Sequence, residues 1–246
     1  MHPLLPVLAL CALDRSALLH GRPARAAVQL MAKRKKAQAA KAVPAWAAGM
    51  APTESALLDA VREQKRDMKA ITGLIDTLVD STGGKAVPAE ALHGSWQLLW
   101  VPTAASLDRV GTGLHNVPGT TFEDFFLTVG REKACKCEAN EVLRVFGPFP
   151  NVRNVLEGTY AYEAPRLRLV YTSMVDGLGK TIEPKGGDGQ GGNRVVDLRV
   201  RYAGPSALIA SSGEDVLVFG ACKSVREELV RLRVLKPKDE ESAEGS

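Results

Sequence analysis

Apolar residues recur along the chain with two different periods, and the change from one to the other falls near residue 94. Between Glu54 and Asp80, the residues Leu57, Val61, Met68, Ile71, Ile75 and Leu78 follow one another at steps of three, four or seven. That spacing puts them on one stripe of a helix. Pro52 and Thr53 precede the stripe, and Gly83 and Gly84 follow it as residues that tolerate the left-handed turn after a helix. Gly73 and Gln64 interrupt the middle, so one long helix and two shorter ones both fit. Acids and bases mix on the polar face, which predicts packing on the following domain rather than on a membrane surface.

From residue 94 the period is two. GSWQLLWV (94–101) places Trp96, Leu98 and Trp100 on one face, and FFLTVG (125–130) does the same with Phe125, Leu127 and Val129. EVLRVF (141–146) is a shorter run, and VLEGTYAYE (155–163) alternates Leu156, Gly158, Tyr160 and Tyr162. RLRLVYT (166–172) sets Leu167, Leu169 and Tyr171 against Arg166 and Arg168. RVVDLRVRY (194–202) sets Val196, Leu198, Val200 and Tyr202 against Asp197, Arg199 and Arg201. ALIA (207–210), DVLVF (215–219) and ELVRLRVL (228–235) complete the series.

About eight or nine short strands without intervening helix patterns predict a mainly β domain built from an antiparallel sheet. Each strand has one apolar face, and closure into a barrel hides that face and removes the edges. The expected organisation is a leader over 1–48, a helical segment over 51–84, a barrel over 92–236 and a solvated tail over 237–246. The Gly-rich loop 103–121 is long enough to line a barrel mouth, and 183–193 reads as a flexible hairpin connection.

Charge changes the picture at the N-terminus. Residues 1–48 carry eight Lys or Arg and a single acid, Asp14, whereas the remainder holds 24 basic and 27 acidic residues. The basic balance therefore belongs to the leader and does not predict a nucleic-acid partner. An apolar stretch (4–13) followed by a basic, acid-poor one (15–44) matches a bipartite leader for a plastid reached through the secretory route. A simple plastid transit peptide is the second reading. A retained basic tail, with Lys33–Lys36 touching an anionic membrane or acting as a nuclear signal, is the third.

GSWQLLWVPT (94–103) resembles the first barrel strand of the plastid lipid-associated (fibrillin) proteins, through Gly94, Trp96, Leu98, Leu99 and Trp100. The order of leader, helix, Gly-x-Trp strand, meander and a late strand such as DVLVF is also similar, over roughly 54–235. The family's charged C-terminal segment is replaced here by RYAGPSALIASSGEDVLVF (201–219). The resemblance implies a lipocalin-like barrel in the plastid. It also implies a non-enzymatic role in binding or organising lipids, carotenoids or quinones at thylakoid or plastoglobule surfaces. Trp96, Leu98, Trp100, Phe125, Tyr160, Tyr162, Leu169, Tyr171 and Leu198 are the candidates to line a ligand site. The alternative is a filled barrel that acts as an assembly factor for a photosynthetic protein partner.

No catalytic motif competes with this reading. His93 and Ser95 are not placed to form a nucleophile pair, and GLGKT (177–181) lacks the glycine spacing and the helix of a phosphate loop. Cys135 and Cys137, with His115 or Cys222, have the wrong spacing for a metal site, so no metal or cofactor is expected. The cysteines do not make a disulfide framework.

Overall fold

The computed structural model describes residues 52–237 except 64, 132–133 and 183–192. The leader, the 183–193 connection and the tail of the sequence reading lie wholly or mainly outside those residues. Helix α1 spans Pro52–Arg62 and α2 spans Met68–Ser81, so the helical stripe is split in two. The break is made by Asp67, whose carboxylate accepts hydrogen bonds from Lys69 N and Ala70 N and caps a new helix there. Gly83, at φ +59°, follows its end.

Eight strands follow in one antiparallel meander: β1 (Gly94–Trp100), β2 (Thr120–Val129), β3 (Lys136–Val145), β4 (Val152–Glu163), β5 (Arg166–Val175), β6 (Arg194–Ala203), β7 (Ala207–Ser212) and β8 (Asp215–Cys222). Each pairs with the next, and β1 pairs with β8, which closes the barrel. The inward faces carry Trp96, Leu98, Phe125, Leu127, Leu156, Leu167, Leu169, Tyr171, Leu198 and Phe219 in one contiguous core. Arg166, Arg168, Asp197 and Arg199 point the other way. A polar exterior around an apolar interior is the inverse of a barrel that crosses a bilayer on its strands. No helix among the described residues is long and apolar enough to cross a membrane.

Two expectations about side-chain direction are corrected by bulges. The pairing of β1 with β8 shifts between Leu98, opposite Phe219, and Trp100, opposite Val218. The extra residue turns Trp100 to the outside, where it joins Leu57, Val61, Ile71, Ile75, Leu78, Ile209 and Val218 beneath α1 and α2. A second shift, between Val200 and Tyr202 on β6, moves Tyr202 to the same outer cluster. In β4 a bulge at Glu157/Gly158 brings the chain so close to β5 that a Cβ on Gly158 would sit 1.9 Å from the Val170 carbonyl oxygen. Only glycine fits there.

Glu54 anchors α1 at the opposite edge of this cluster. Fully buried, it accepts hydrogen bonds from Ser206 N (2.9 Å) and Ala207 N (2.6 Å) in the β6–β7 turn. The segment before β1 closes one end of the barrel. Val87 and Leu92 enter its core, Trp96 Nε1 donates to Leu92 O (2.8 Å), and Tyr162 Oη donates to Val87 O (2.8 Å).

The expected last strand over 228–235 is instead a helix, α3, spanning Val225–Arg231. Ser224 caps it by accepting from Glu227 N, with Glu227 and Glu228 in the first turn. Its apolar residues suit either period. The closed barrel has no edge to receive a ninth strand, and α3 instead packs Leu229 and Leu232 on the outward Phe126 and Val142.

Asp124 is caught in this packing. Burial pushes its pKa up from the ordinary carboxylate range to about 6, although Gln97, the Phe125 N–H and Arg231 oppose the shift and Glu228 adds to it. The folded state therefore holds the proton more tightly than the unfolded chain, so this group loses stability as pH rises from about 4 through 6. Asp124→Asn removes that loss. Its stability relative to wild type should shift in the variant's favour by about 2–3 kcal/mol between pH 4 and pH 7, read by urea unfolding at the two pH values. A constant difference would show that Asp124 titrates normally.

Candidate functional site

The inward positions at the other end of the barrel are polar, and they lie in phase with the apolar ones. On β3, Glu141 follows Cys137 and Ala139; on β4, Asn154 precedes Leu156; on β6, Arg194 precedes Val196 and Leu198. Register places them side by side, since Glu141 lies opposite both Phe125 and Asn154, and Tyr171 lies opposite Arg194. The β1–β2 connection folds over this end through short 3₁₀ turns at Ala104–Arg109 and Leu114–Asn116. It inserts Leu107 and Val110 into the barrel core and brings Thr112 and His115 to Glu141.

Glu141 is fully buried and is the hub of this end. Its carboxylate accepts from Thr112 N (3.0 Å), from Asn154 Nδ2 (2.9 Å) and from the Thr112 hydroxyl. His115 Nδ1 lies 3.8 Å from Glu141 Oε1, and Nε2 lies 3.5 Å from Asp108 Oδ1. A Cβ on Gly111 would approach Glu141 Oε1 to 2.4 Å, so any larger residue here would displace the buried carboxylate. Arg194 Nη2 donates to Asp108 O (2.6 Å), which fastens the same loop to β6.

The electrostatics are those of an ion pair inside a barrel. Glu141 and, secondarily, Asp108 hold the His115 imidazole above its ordinary pKa against the opposing effect of burial. Burial alone would raise Glu141, but His115, Thr112 and Asn154 outweigh it and hold the carboxyl below its ordinary value. Burial pushes the Tyr171 phenol far up and keeps it neutral, and it lowers Arg194. Several polar atoms here are buried without a hydrogen-bond partner: Asn154 Oδ1, Tyr171 Oη and Arg194 Nε, while the His115 ring nitrogens meet only the longer ionic contacts to Glu141 and Asp108. Such groups are costly unless something meets them.

Of the candidate lining residues, Trp96, Leu98, Phe125, Leu169, Tyr171 and Leu198 all face inward. Tyr160 and Tyr162 pack against the same core near the end closed by residues 87–93. Their hydroxyls are engaged there, Tyr160 with Gly130 O and His93 and Tyr162 with Val87 O. Trp100 lies outside. Tyr171, opposite Arg194, and Phe125, opposite Glu141, reach the polar end, and of the two only Tyr171 brings a polar atom to it. Glu141, Asn154, Thr112 and Arg194 were not anticipated, although a charged or amide residue in the apolar phase of a strand is a legible signal.

Cys135, Cys137, Cys222 and His115 do not converge, and no His/Cys/Asp/Glu group suited to a metal occurs among the described residues. Cys135 is exposed, while burial raises the Cys137 thiol to about 11 and keeps it protonated. Clefts of about 930 and 500 Å³ lie on the outside of the barrel, the first beside Asp80, Lys85, Arg199 and Arg201, the second beside Trp100 and Phe122. No protein-family model matches the chain, and no curated protein matches it in sequence.

Removing the hub charge takes away the buried one of the two carboxylates beside His115 and weakens the hydrogen bonds from Thr112 and Asn154, so Glu141→Gln should cost about 2–4 kcal/mol of stability. The pair also has a pH window. Glu141 stabilises above its unfolded pKa of about 4.5 and loses this as pH falls through its lower folded value; His115 stabilises below about 6.5 and loses this as pH rises through its higher folded value. Thermal melts at pH 5.5 and 8.5 should therefore differ less for His115→Gln than for wild type. Equal differences would sink the ion-pair assignment.

Proposed function

We propose that this is a non-enzymatic, plastid lipid-associated protein that binds an amphipathic or isoprenoid molecule in its barrel at a thylakoid or plastoglobule surface. The observation that carries the reading is the set of unpartnered polar atoms on Tyr171, Arg194 and Asn154, buried at one end of an otherwise apolar interior. An apolar tail suits the walls around Leu98, Leu169 and Leu198, and a polar head suits the Tyr171 hydroxyl and the Arg194 guanidinium. The plastid setting rests on the leader's composition and on the resemblance of the Gly94–Trp96 strand.

The way in is the β1–β2 connection. Leu107 and Val110 of that loop occupy the barrel mouth, and the loop is held by polar contacts to Glu141 and Arg194 rather than by strand pairing. A ligand that offers an apolar chain and a polar head supplies the same two kinds of contact, so it can replace the loop without leaving Glu141 and Arg194 unpaired. Neutralising His115 weakens the latch, which makes exchange easier at higher pH.

A second reading is favoured by one observation: the large inward side chains Phe125, Leu156, Leu167, Leu169, Tyr171 and Leu198 are each at most 1 % exposed. On that reading the barrel is filled by its own residues and serves as a scaffold for a protein partner.

Native mass spectrometry of the chain after incubation with a plastid lipid extract separates the two. A retained lipid class, at least tenfold less occupied in Tyr171→Phe and Arg194→Met, is the outcome expected from losing one or two buried polar contacts. A bare mass under conditions that preserve the fold would favour the filled scaffold.

A further inference from the structure

Among the described residues, four of the five exposed large hydrophobic residues sit at the same end of the barrel as the β1–β2 loop. They are Val117 (41 % exposed), Phe146 (86 %), Phe149 (64 %) and Leu178 (90 %); the fifth, Met68, is on α2. They come from three different hairpin connections, β1–β2, β3–β4 and β5–β6. These connections touch one another. Phe146 N donates to Gly119 O (2.7 Å), and Gly177 lies so close to Val152 and Arg153 that a Cβ there would meet the Val152 side chain at 2.5 Å. The Phe149 ring covers Gly147, a residue at φ +108°.

The tips read Val117-Pro-Gly, Phe146-Gly-Pro-Phe-Pro-Asn and Gly177-Leu-Gly-Lys, with no acid in any of them. Exposed Arg144 and Lys180 flank the aromatic tip and the leucine tip. The nearby Asp176 turns its carboxylate back into its own loop, accepting from Leu178 N and Lys180 N. Single exposed apolar residues are common on folded proteins, but several gathered on adjoining tips with basic neighbours are not.

We propose that this rim inserts into an anionic lipid surface, with Phe146, Phe149, Leu178 and Val117 entering the interface and Arg144 and Lys180 meeting its negative charge. Separate protruding tips suit a fluid interface, which accepts each side chain independently, better than a protein surface that would need a matching pit for every one. Pro118, Pro148 and Pro150 pre-set the tips, so little ordering is required on insertion. Docked this way, the barrel end that holds Glu141, His115 and Tyr171 faces the lipid. The inference shares with the proposed function only the expectation of a lipid surface, and it holds whether or not the barrel takes a ligand.

The test is sedimentation of the full chain with vesicles of phosphatidylcholine containing phosphatidylglycerol, against phosphatidylcholine alone. The basic run at 33–36 can itself attract anionic lipid, so the comparison is made in a chain with Lys33, Arg34, Lys35 and Lys36 all changed to Gln. In that background the rim should still bind anionic vesicles. Phe146→Ser with Phe149→Ser should weaken binding at least tenfold, given the transfer free energy of two phenylalanine side chains. Arg144→Gln with Lys180→Gln should remove the preference for anionic over neutral vesicles. Unchanged melting temperatures would show that the variants fold. Loss of all binding once the 33–36 run is neutralised, or equal binding by the Phe146/Phe149 variant, would overturn the proposal. So would concentration-dependent self-association abolished by the same serine changes, since the rim would then be a contact between copies. Lipid retention by native mass spectrometry in the Phe146/Phe149 variant reports on the barrel independently, and its loss or survival leaves the docking result intact.

Discussion

The pairing of β1 with β8 is the constraint on which the rest of this molecule depends. Ser95 through Leu98 align with Cys222 through Phe219 in an antiparallel ladder, and this satisfies the backbone groups of what would otherwise be two exposed edges. Once the ladder is closed, each inward residue faces other inward residues and each outward residue faces solvent or a helix. Closure also limits how the remainder of the chain can be used. With no edge available, the C-terminal segment after Cys222 folds as a capped helix on the outer wall rather than as another strand.

The two bulges that turn Trp100 and Tyr202 outward serve a single purpose. Both residues leave the barrel interior and join the strip formed by Ile209 and Val218, giving α1 and α2 an aromatic surface to cover. The same segment of chain then continues into the 85–93 approach, which plugs the end of the barrel near Trp96. The helical stripe, the outward aromatics and the plug form one continuous cover, and Glu54 pins its start to the β6–β7 turn.

The two ends of the barrel are built from different chemistry. At the Trp96 end, polar atoms find backbone partners: the indole donates to Leu92 O and the Tyr162 hydroxyl to Val87 O. At the Glu141 end, a charged hub is held mainly by side chains of a loop, and several of its neighbours have no partner. An ion pair in this setting is poor at adding net stability but strict about geometry, because a misplaced loop leaves a buried charge uncompensated. The hub therefore specifies the position of residues 101–119 more than it strengthens the fold. The connections around that same end also carry the exposed phenylalanines, so the polar hub and the apolar rim share one end of the barrel.

The sequence by itself determined eight of the expected strands, the apolar phase of most of them and the helical stripe before them, apart from Met68, which lies exposed on α2. All three are periodicities, and burial acts on them one residue at a time. It also made closure into a barrel the economical outcome, because so many one-sided strands leave an apolar face and two edges to hide. It determined Trp96, Leu98, Phe125, Leu169, Tyr171 and Leu198 as inward residues for the same reason. Only the tertiary structure decided the rest. A bulge adds one residue and reverses direction from that point on, and nothing in GSWQLLWV or RVVDLRVRY marks where that happens. The segment 228–235 satisfies both periods, so the absence of a free edge, helped by the Ser224 cap, selected the helix. The hub joins Glu141, Asn154, Tyr171 and Arg194 from four neighbouring strands to Thr112 and His115 on a loop. Residues that distant along the chain meet only through the register of a closed sheet, which is a property of all eight strands together.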